Sequence, residues 1–144
     1  MLSTDPVLRY YDVSKPAVVQ CDSSQSGLGA VLLIEGRPVQ YASRAMTGTE
    51  QQYAQIEKEL LAIVFAMERF HTYVYGRKVS VETDHKPLIS IIKKPLTSAP
   101  KRLQRMLLSL QCYEFELEYR PGTQVVVADT LSRCLLYTSP SPRD

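Results

Sequence analysis

A mixed α/β fold, with five strands in one sheet and helices packed on it, is the class this sequence predicts. Three observations carry it. Residues 18–43 hold three apolar, strand-like runs joined by short turns. Residues 50–75 then switch to a helical period. Two further short strand-like runs follow, at 79–83 and 115–119, separated by helix-period segments. With 144 residues, 44% hydrophobic and 22% charged, the chain has the size and composition of one domain with a buried core. That composition excludes collagen-like, coiled-coil and wholly disordered chains.

Element by element, Val18-Val19-Gln20-Cys21 reads as a strand with Asp22 at its end, and Ser23 to Gly29 as a Ser/Gly turn. Ala30 to Ile34 is a second strand. Glu35-Gly36 is a two-residue hairpin signal, and Pro38 to Ser43 is a third strand, completing an antiparallel meander. Thr47 or Thr49 caps the helix at 50–75, whose apolar positions Tyr53, Ile56, Leu60, Ile63, Val64, Met67 and Phe70 recur every three or four residues. Gly76 ends it. Val79 to Thr83 is a strand with Asp84 at its end, expected to run parallel to a neighbour after a right-handed crossover. Lys86 to Lys93 is a short helix, Pro95 to Pro100 a loop and Lys101 to Tyr113 a helix with Leu103, Met106, Leu107 and Leu110 on one face. Phe115 to Tyr119 alternates strictly as a fifth strand, and Val125 to Arg133 leads into a short helical end.

No apolar run reaches the roughly 20 residues that span a bilayer. Met1-Leu2 gives way at once to polar residues and Pro6, so no signal peptide is expected. Cys21, Cys112 and Cys134 are odd in number and lack metal-site spacing, which favours a reducing, intracellular compartment over secretion. Charge is uneven. Residues 77–105 carry eight Lys/Arg against Glu82 and Asp84, a local excess of six positive charges that suggests an anionic partner.

Asp22 and Asp84 each end a strand. If those strands are adjacent and parallel, the two carboxylates meet at the carboxyl edge of the sheet, where α/β proteins often hold ligands. Carboxylates that close repel unless a cation joins them, and a hard divalent ion such as Mg²⁺ takes oxygen ligands of this kind. A third carboxylate must come from the helix. At 100° per residue, Glu59 lies about 70° to one side of the apolar stripe and Glu57 about 90° to the other. The wheel leaves both open.

The stretch Cys21-Asp22-Ser-Ser-Gln-Ser-Gly27-Leu-Gly29-Ala30 resembles the first motif of the ribonuclease H domain of gypsy-type LTR-retrotransposon polyproteins. Tyr53-Ala-Gln-Ile-Glu57-Lys-Glu59-Leu-Leu, Thr83-Asp84-His85-Lys86-Pro87-Leu88, Tyr119-Arg-Pro-Gly and Val127-Ala-Asp129-Thr-Leu-Ser-Arg133 follow in the family's order. The resemblance implies a ribonuclease H-like fold. It also implies a ribonuclease H that cuts the RNA strand of RNA–DNA hybrids during reverse transcription, with two Mg²⁺ ions about 4 Å apart, Mn²⁺ being a substitute. It places the metal-binding catalytic carboxylates at Asp22, Glu59, Asp84 and Asp129, with Asp22 bridging both ions. Gly27 and Gly29 would let the main chain approach the minor groove, and Lys86, Arg102 and Arg105 would face phosphates. Tyr119 stands ten residues before Asp129, where cellular and retroviral relatives carry a histidine, and a phenol is a poor proton shuttle near neutral pH. His85 is read as a turn residue and His71 as a helix residue without a catalytic part.

By the same resemblance, residues 1–14 are the end of a reverse-transcriptase connection region, 15–133 the ribonuclease H domain, and the upstream reverse-transcriptase domain a partner in the same polyprotein. Residues 134–144 depart from the pattern and resemble the translation of a sequencing-library adapter, so they are set aside as a non-native tail. Three other readings share parts of this pattern: a hybrid-tethering module without catalysis, an integrase or transposase core, and a structural transposon remnant. In integrase cores the Glu comes last; here it comes second and an Asp last.

Overall fold

The computed structural model describes residues 16–121. One five-stranded sheet runs in the order β3-β2-β1-β4-β5, built from β1 (Ala17–Ser23), β2 (Gly27–Ile34), β3 (Arg37–Ala45), β4 (Lys78–Thr83) and β5 (Glu114–Tyr119). The helices are α1 (Gly48–Gln51), α2 (Gln55–Arg69), α3 (His71–Val74), α4 (Pro87–Lys93) and α5 (Lys101–Ser109), with a 3₁₀ turn at Leu96–Ser98. The expected helical end at 125–133, Asp129 with it, and the segments 1–14 and 134–144 lie outside the described residues. Among the described residues no helix is long and apolar enough to cross a membrane.

The meander forms as expected, and its second turn shows why. Glu35 and Gly36 take φ values of 54° and 79°, the two left-handed positions of a turn whose twist matches the strands. The first turn is tighter than the sequence suggests. Ser24 N–H donates to the Gly27 carbonyl at 2.8 Å, and Gly27 N–H donates back to Ser24 Oγ at 3.0 Å. The turn closes over 24–27, so Gly27 and Gly29 belong to β2 rather than to a loop. Pro38 is tolerated because β3 is an edge strand, and a register shift sits opposite it between Leu32 and Leu33.

The single helix expected at 50–75 is three. Two N-terminal signals lie seven residues apart. Thr47 Oγ1 accepts from Glu50 N–H at 3.1 Å, and Thr47 N–H donates to Glu50 Oε1 at 3.0 Å, a capping box that starts α1. Ala54 N–H donates to Glu57 Oε1 at 2.9 Å, with Ala54 extended at φ −62°, ψ 157°, and α2 starts afresh. At the other end Phe70, at φ −99°, ψ 22°, leaves the helical basin and α3 follows. Gly76, at φ 80°, then turns the chain into β4, the C-terminal role its sequence position suggests. The helix expected at 101–113 ends at Ser109, and residues 110–113 turn the chain back toward β5.

β4 pairs parallel to β1, with Gln20 opposite Glu82, and β5 pairs parallel to β4, with Val81 opposite Leu117. Helix α2 lays Leu60, Ile63 and Met67 onto one face of the sheet, against Val19, Cys21, Leu28, Leu32 and Val81, all buried. Leu88 of α4 and Leu103, Met106 and Leu107 of α5 close the same core, as the predicted face of α5 requires. Phe70, fully buried, plugs the junction of α2 and α3. Truncating it to Ala leaves a cavity that the surrounding elements cannot fill. Phe70→Ala should lower stability by about 3–5 kcal/mol, read from urea denaturation of the full chain.

Candidate metal centre

Parallel pairing of β1 with β4 decides where the strand-ending carboxylates go. The register that sets Gln20 opposite Glu82, carried two residues onward, brings Asp22 and Asp84 together at the carboxyl edge. Thr83 helps turn the chain there: its hydroxyl accepts from His85 N–H at 3.2 Å, and its carbonyl accepts from Arg120 N–H at 2.8 Å. The third carboxylate is Glu59. Ligand oxygens of Asp22, Glu59 and Asp84 all lie within 4.8 Å of one another. Asp22 and Glu59 are only 5% and 4% exposed.

The helix wheel left Glu57 and Glu59 equal; packing separates them. Glu57 faces away from the sheet edge. Its carboxylate caps Ala54 and accepts from Arg102 Nη1 at 3.1 Å. Glu59 points under the β1–β2 turn, where Ser23 Oγ donates to its Oε2 at 2.9 Å and Gln55 Nε2 donates to the same oxygen at 2.6 Å. Lys58 Nζ adds a second tie, donating to the Gln25 carbonyl at 3.4 Å. Ser23 and Gln55 went unremarked in the sequence. The signals were there: Gln55 is four residues before Glu59 on one helix face, and Ser23 directly follows Asp22.

Burial pushes the Glu59 carboxyl up to about 7; the Asp84 charge pushes the same way, while the bonds from Ser23 and Gln55 oppose the rise. Burial, with Glu59 and Asp22 nearby, also holds the Cys21 thiol far above its ordinary range, so Cys21 is a core residue and not a thiolate ligand. The donor set is therefore all hard oxygen and closely spaced, which fits Mg²⁺ or Mn²⁺ and not a soft metal.

The other residues singled out by sequence surround this edge unevenly. Tyr119, 41% exposed, ends β5 opposite Thr83, and Lys86 Nζ sits 5.8 Å from its ring centre. Tyr119 is thus a rim residue. Lys86 and Arg105 are exposed. Arg102 is exposed but engaged: besides Glu57, its guanidinium covers the Tyr53 ring at 4.3 Å, tying α5 to the start of α2. Gly27 and Gly29 are buried in β2, and Gly27 has both main-chain groups turned to Ser24. His71 accepts or donates a bond with the Tyr113 hydroxyl at 2.6 Å and stacks on Tyr75, away from the carboxylates.

A mixed sheet of this strand order with three carboxylates gathered at its parallel edge defines an α/β domain with a candidate metal-binding edge. The chain belongs to the family described as the RNase H-like domain found in reverse transcriptase, whose profile matches residues 12–113. It is 40% identical over 134 residues to the retrovirus-related Pol polyprotein from transposon gypsy of Drosophila melanogaster, covering 92% of this chain and 13% of that protein. It is 36% identical over 150 residues to the transposon Tf2-3 polyprotein of Schizosaccharomyces pombe, covering 99% and 11%. The chain thus spans little more than a tenth of these relatives' length. Its fold is that of RNase H. LC11-RNase H1, isolated from compost, superposes with a TM-score of 0.67 at 14% identity over 88% of this chain and 99% of that one. The foamy viral protease-reverse transcriptase in complex with dsDNA superposes at 0.63 and 22% identity, over 77% and 24%.

The raised Glu59 pKa has a sign. Its folded value lies above the ordinary 4.5, so folding favours the protonated form. The stabilisation is complete below about pH 4.5 and is lost as pH rises through about 7. In EDTA, wild type should lose up to about 3 kcal/mol relative to Glu59→Gln across that window. Denaturation of both proteins at a series of pH values measures it.

Proposed function

We propose that this domain is the ribonuclease H of a retrotransposon polyprotein, hydrolysing the RNA strand of RNA–DNA hybrids to leave 3′-hydroxyl and 5′-phosphate ends. The observation that carries the reading is the convergence of Asp22, Glu59 and Asp84 on one sheet edge, in a chain of the reverse-transcriptase RNase H-like family. Asp22, Glu59 and Asp84 would hold divalent metal, with Asp129, outside the described residues, as the fourth ligand by motif. Divalent metal held there would supply activation of the attacking water and stabilisation of charge on the leaving oxygen.

The chain's own groups supply the rest. Asp22, with Glu59 and Asp84 close by, would be the ligand that shares metal with both of them. Lys86 and Arg105, exposed beside the edge and on α5, would meet hybrid phosphates. Arg102 would contribute chiefly by holding α5 against α2. Gly27 and Gly29, buried in β2, would shape the strand beneath the site rather than meet the hybrid with free amides. Tyr119, at the end of β5, would line the rim and not shuttle protons. An upstream reverse-transcriptase domain of the same polyprotein, joined through residues 1–14, is the natural partner, and an intracellular setting follows from that role. The relatives are polyproteins of which this chain spans little more than a tenth, in keeping with that partner.

Labelled RNA–DNA hybrid incubated with the full chain in Mg²⁺, against EDTA, tests the reading. Cleavage should require the metal. Asp22→Asn should reduce it by orders of magnitude while hybrid binding survives, and should leave the metal-free fold equally or more stable, since one of the clustered charges is gone. Glu57→Gln keeps a capping acceptor and should leave cleavage nearly intact. Binding without any Mg²⁺-dependent cleavage would show a tethering module instead. Hybrid affinity should also fall steeply with salt, and Arg105→Glu should weaken binding to hybrids of any sequence; affinity indifferent to both would remove α5 from the interface.

A further inference from the structure

Glu59 is held more firmly than a metal ligand needs for burial alone. Ser23 Oγ and Gln55 Nε2 both donate to its Oε2, at 2.9 and 2.6 Å, and Gln55 Nε2 also reaches Ser23 Oγ at 3.4 Å. The three side chains close a triangle. Its corners come from separate places: Ser23 ends β1 directly after Asp22, Gln55 opens α2, and Glu59 lies one turn further along. Both bonds use the same oxygen, and among the described residues no donor reaches Oε1. Rotation of the carboxylate would break two hydrogen bonds at once, one of them from the residue next to Asp22.

That geometry matters to ion choice. Mg²⁺ requires near-ideal octahedral contacts at about 2.0–2.1 Å and keeps several waters, whereas Ca²⁺ is larger and readily takes a carboxylate through both oxygens. With both donors on Oε2, Oε1 is the Glu59 oxygen left without a protein donor among the described residues to take an ion shared with Asp22 and Asp84. We propose that Ser23 and Gln55 are positioning residues that fix Glu59 as a one-oxygen ligand and so favour Mg²⁺ over Ca²⁺. The proposal rests on the reading of Asp22, Glu59 and Asp84 as metal ligands.

The test is calorimetric titration of Mg²⁺, and separately of Ca²⁺, into the full chain, with thermal melts and hybrid binding in EDTA measured alongside. Ser23→Ala and Gln55→Met each remove one donor; Ser23→Thr keeps the hydroxyl. The two donor-removing variants should bind Mg²⁺ about 10–100-fold more weakly, the range found when partners of metal ligands are lost. Ca²⁺ should weaken by much less, hybrid affinity in EDTA should hold, and Ser23→Thr should restore Mg²⁺ affinity. In cleavage, the variants should need more Mg²⁺ for half-maximal rate while KM for hybrid stays constant. Gln55 is exposed, so Gln55→Met keeps the test sound if Ser23→Ala folds poorly. Mg²⁺ affinity within twofold of wild type in Gln55→Met and in any folded Ser23→Ala overturns the positioning role, and equal losses for Mg²⁺ and Ca²⁺ overturn the selectivity. A wild type that binds neither ion overturns the metal reading itself and the proposal with it.

Discussion

Parallel pairing between β1 and β4 is the constraint on which the rest depends. The two strands are 62 positions apart in register, Gln20 lying opposite Glu82, and they become neighbours only because α2 carries the chain back across the sheet. Hydrogen bonds of a parallel ladder fix the stagger of the strands to within a residue. Asp22 and Asp84 are therefore brought to the same edge by backbone geometry, before any side chain acts. Like charges that close oppose folding, and the cost is met by the apolar face beneath, where Val19, Val81, Leu60 and Ile63 leave water together. The site is a local conflict held in place by a well-packed core.

Helix α2 serves both purposes. Its buried face anchors the sheet, while its N-terminal end delivers Glu59 to the carboxylate edge. The break at Gln52–Ala54 matters here, because it lets α2 begin at the angle required and leaves Glu57 to cap its start. Arg102, bonded to Glu57 and stacked on Tyr53, then braces α5 against the same end of α2. A change on the basic α5 surface is thus mechanically close to the residue that presents Glu59, although charge and carboxylate lie on different elements.

Much of this was readable in advance. Alternation gave β5, apolar runs gave the other strands, Glu35-Gly36 gave the hairpin, and the face Leu103, Met106, Leu107 gave the packing of α5, because each signal is local and each element obeys it. The misreadings share one cause. The helix at 50–75 looked continuous because its apolar spacing tolerates a break, and only backbone competition between two caps, at Thr47 and Ala54, shows where it falls. Gly27 and Gly29 looked like loop residues because glycine marks turns, yet the Ser24–Gly27 closure makes the turn too short to include them.

By itself the sequence determined the fold class, the family motifs and the two strand-ending aspartates, since strand ends, periods and motif order are written along the chain. It could not choose between Glu57 and Glu59 on geometry, because both flank the apolar stripe of one helix. Tertiary structure decided that. Glu57 is taken up by the Ala54 cap and Arg102, while Glu59 is turned under Ser23 and beside Asp22 and Asp84. Which carboxylate meets the other two depends on how the helix is rolled against the sheet, and that roll is set by packing contacts between residues far apart in the chain.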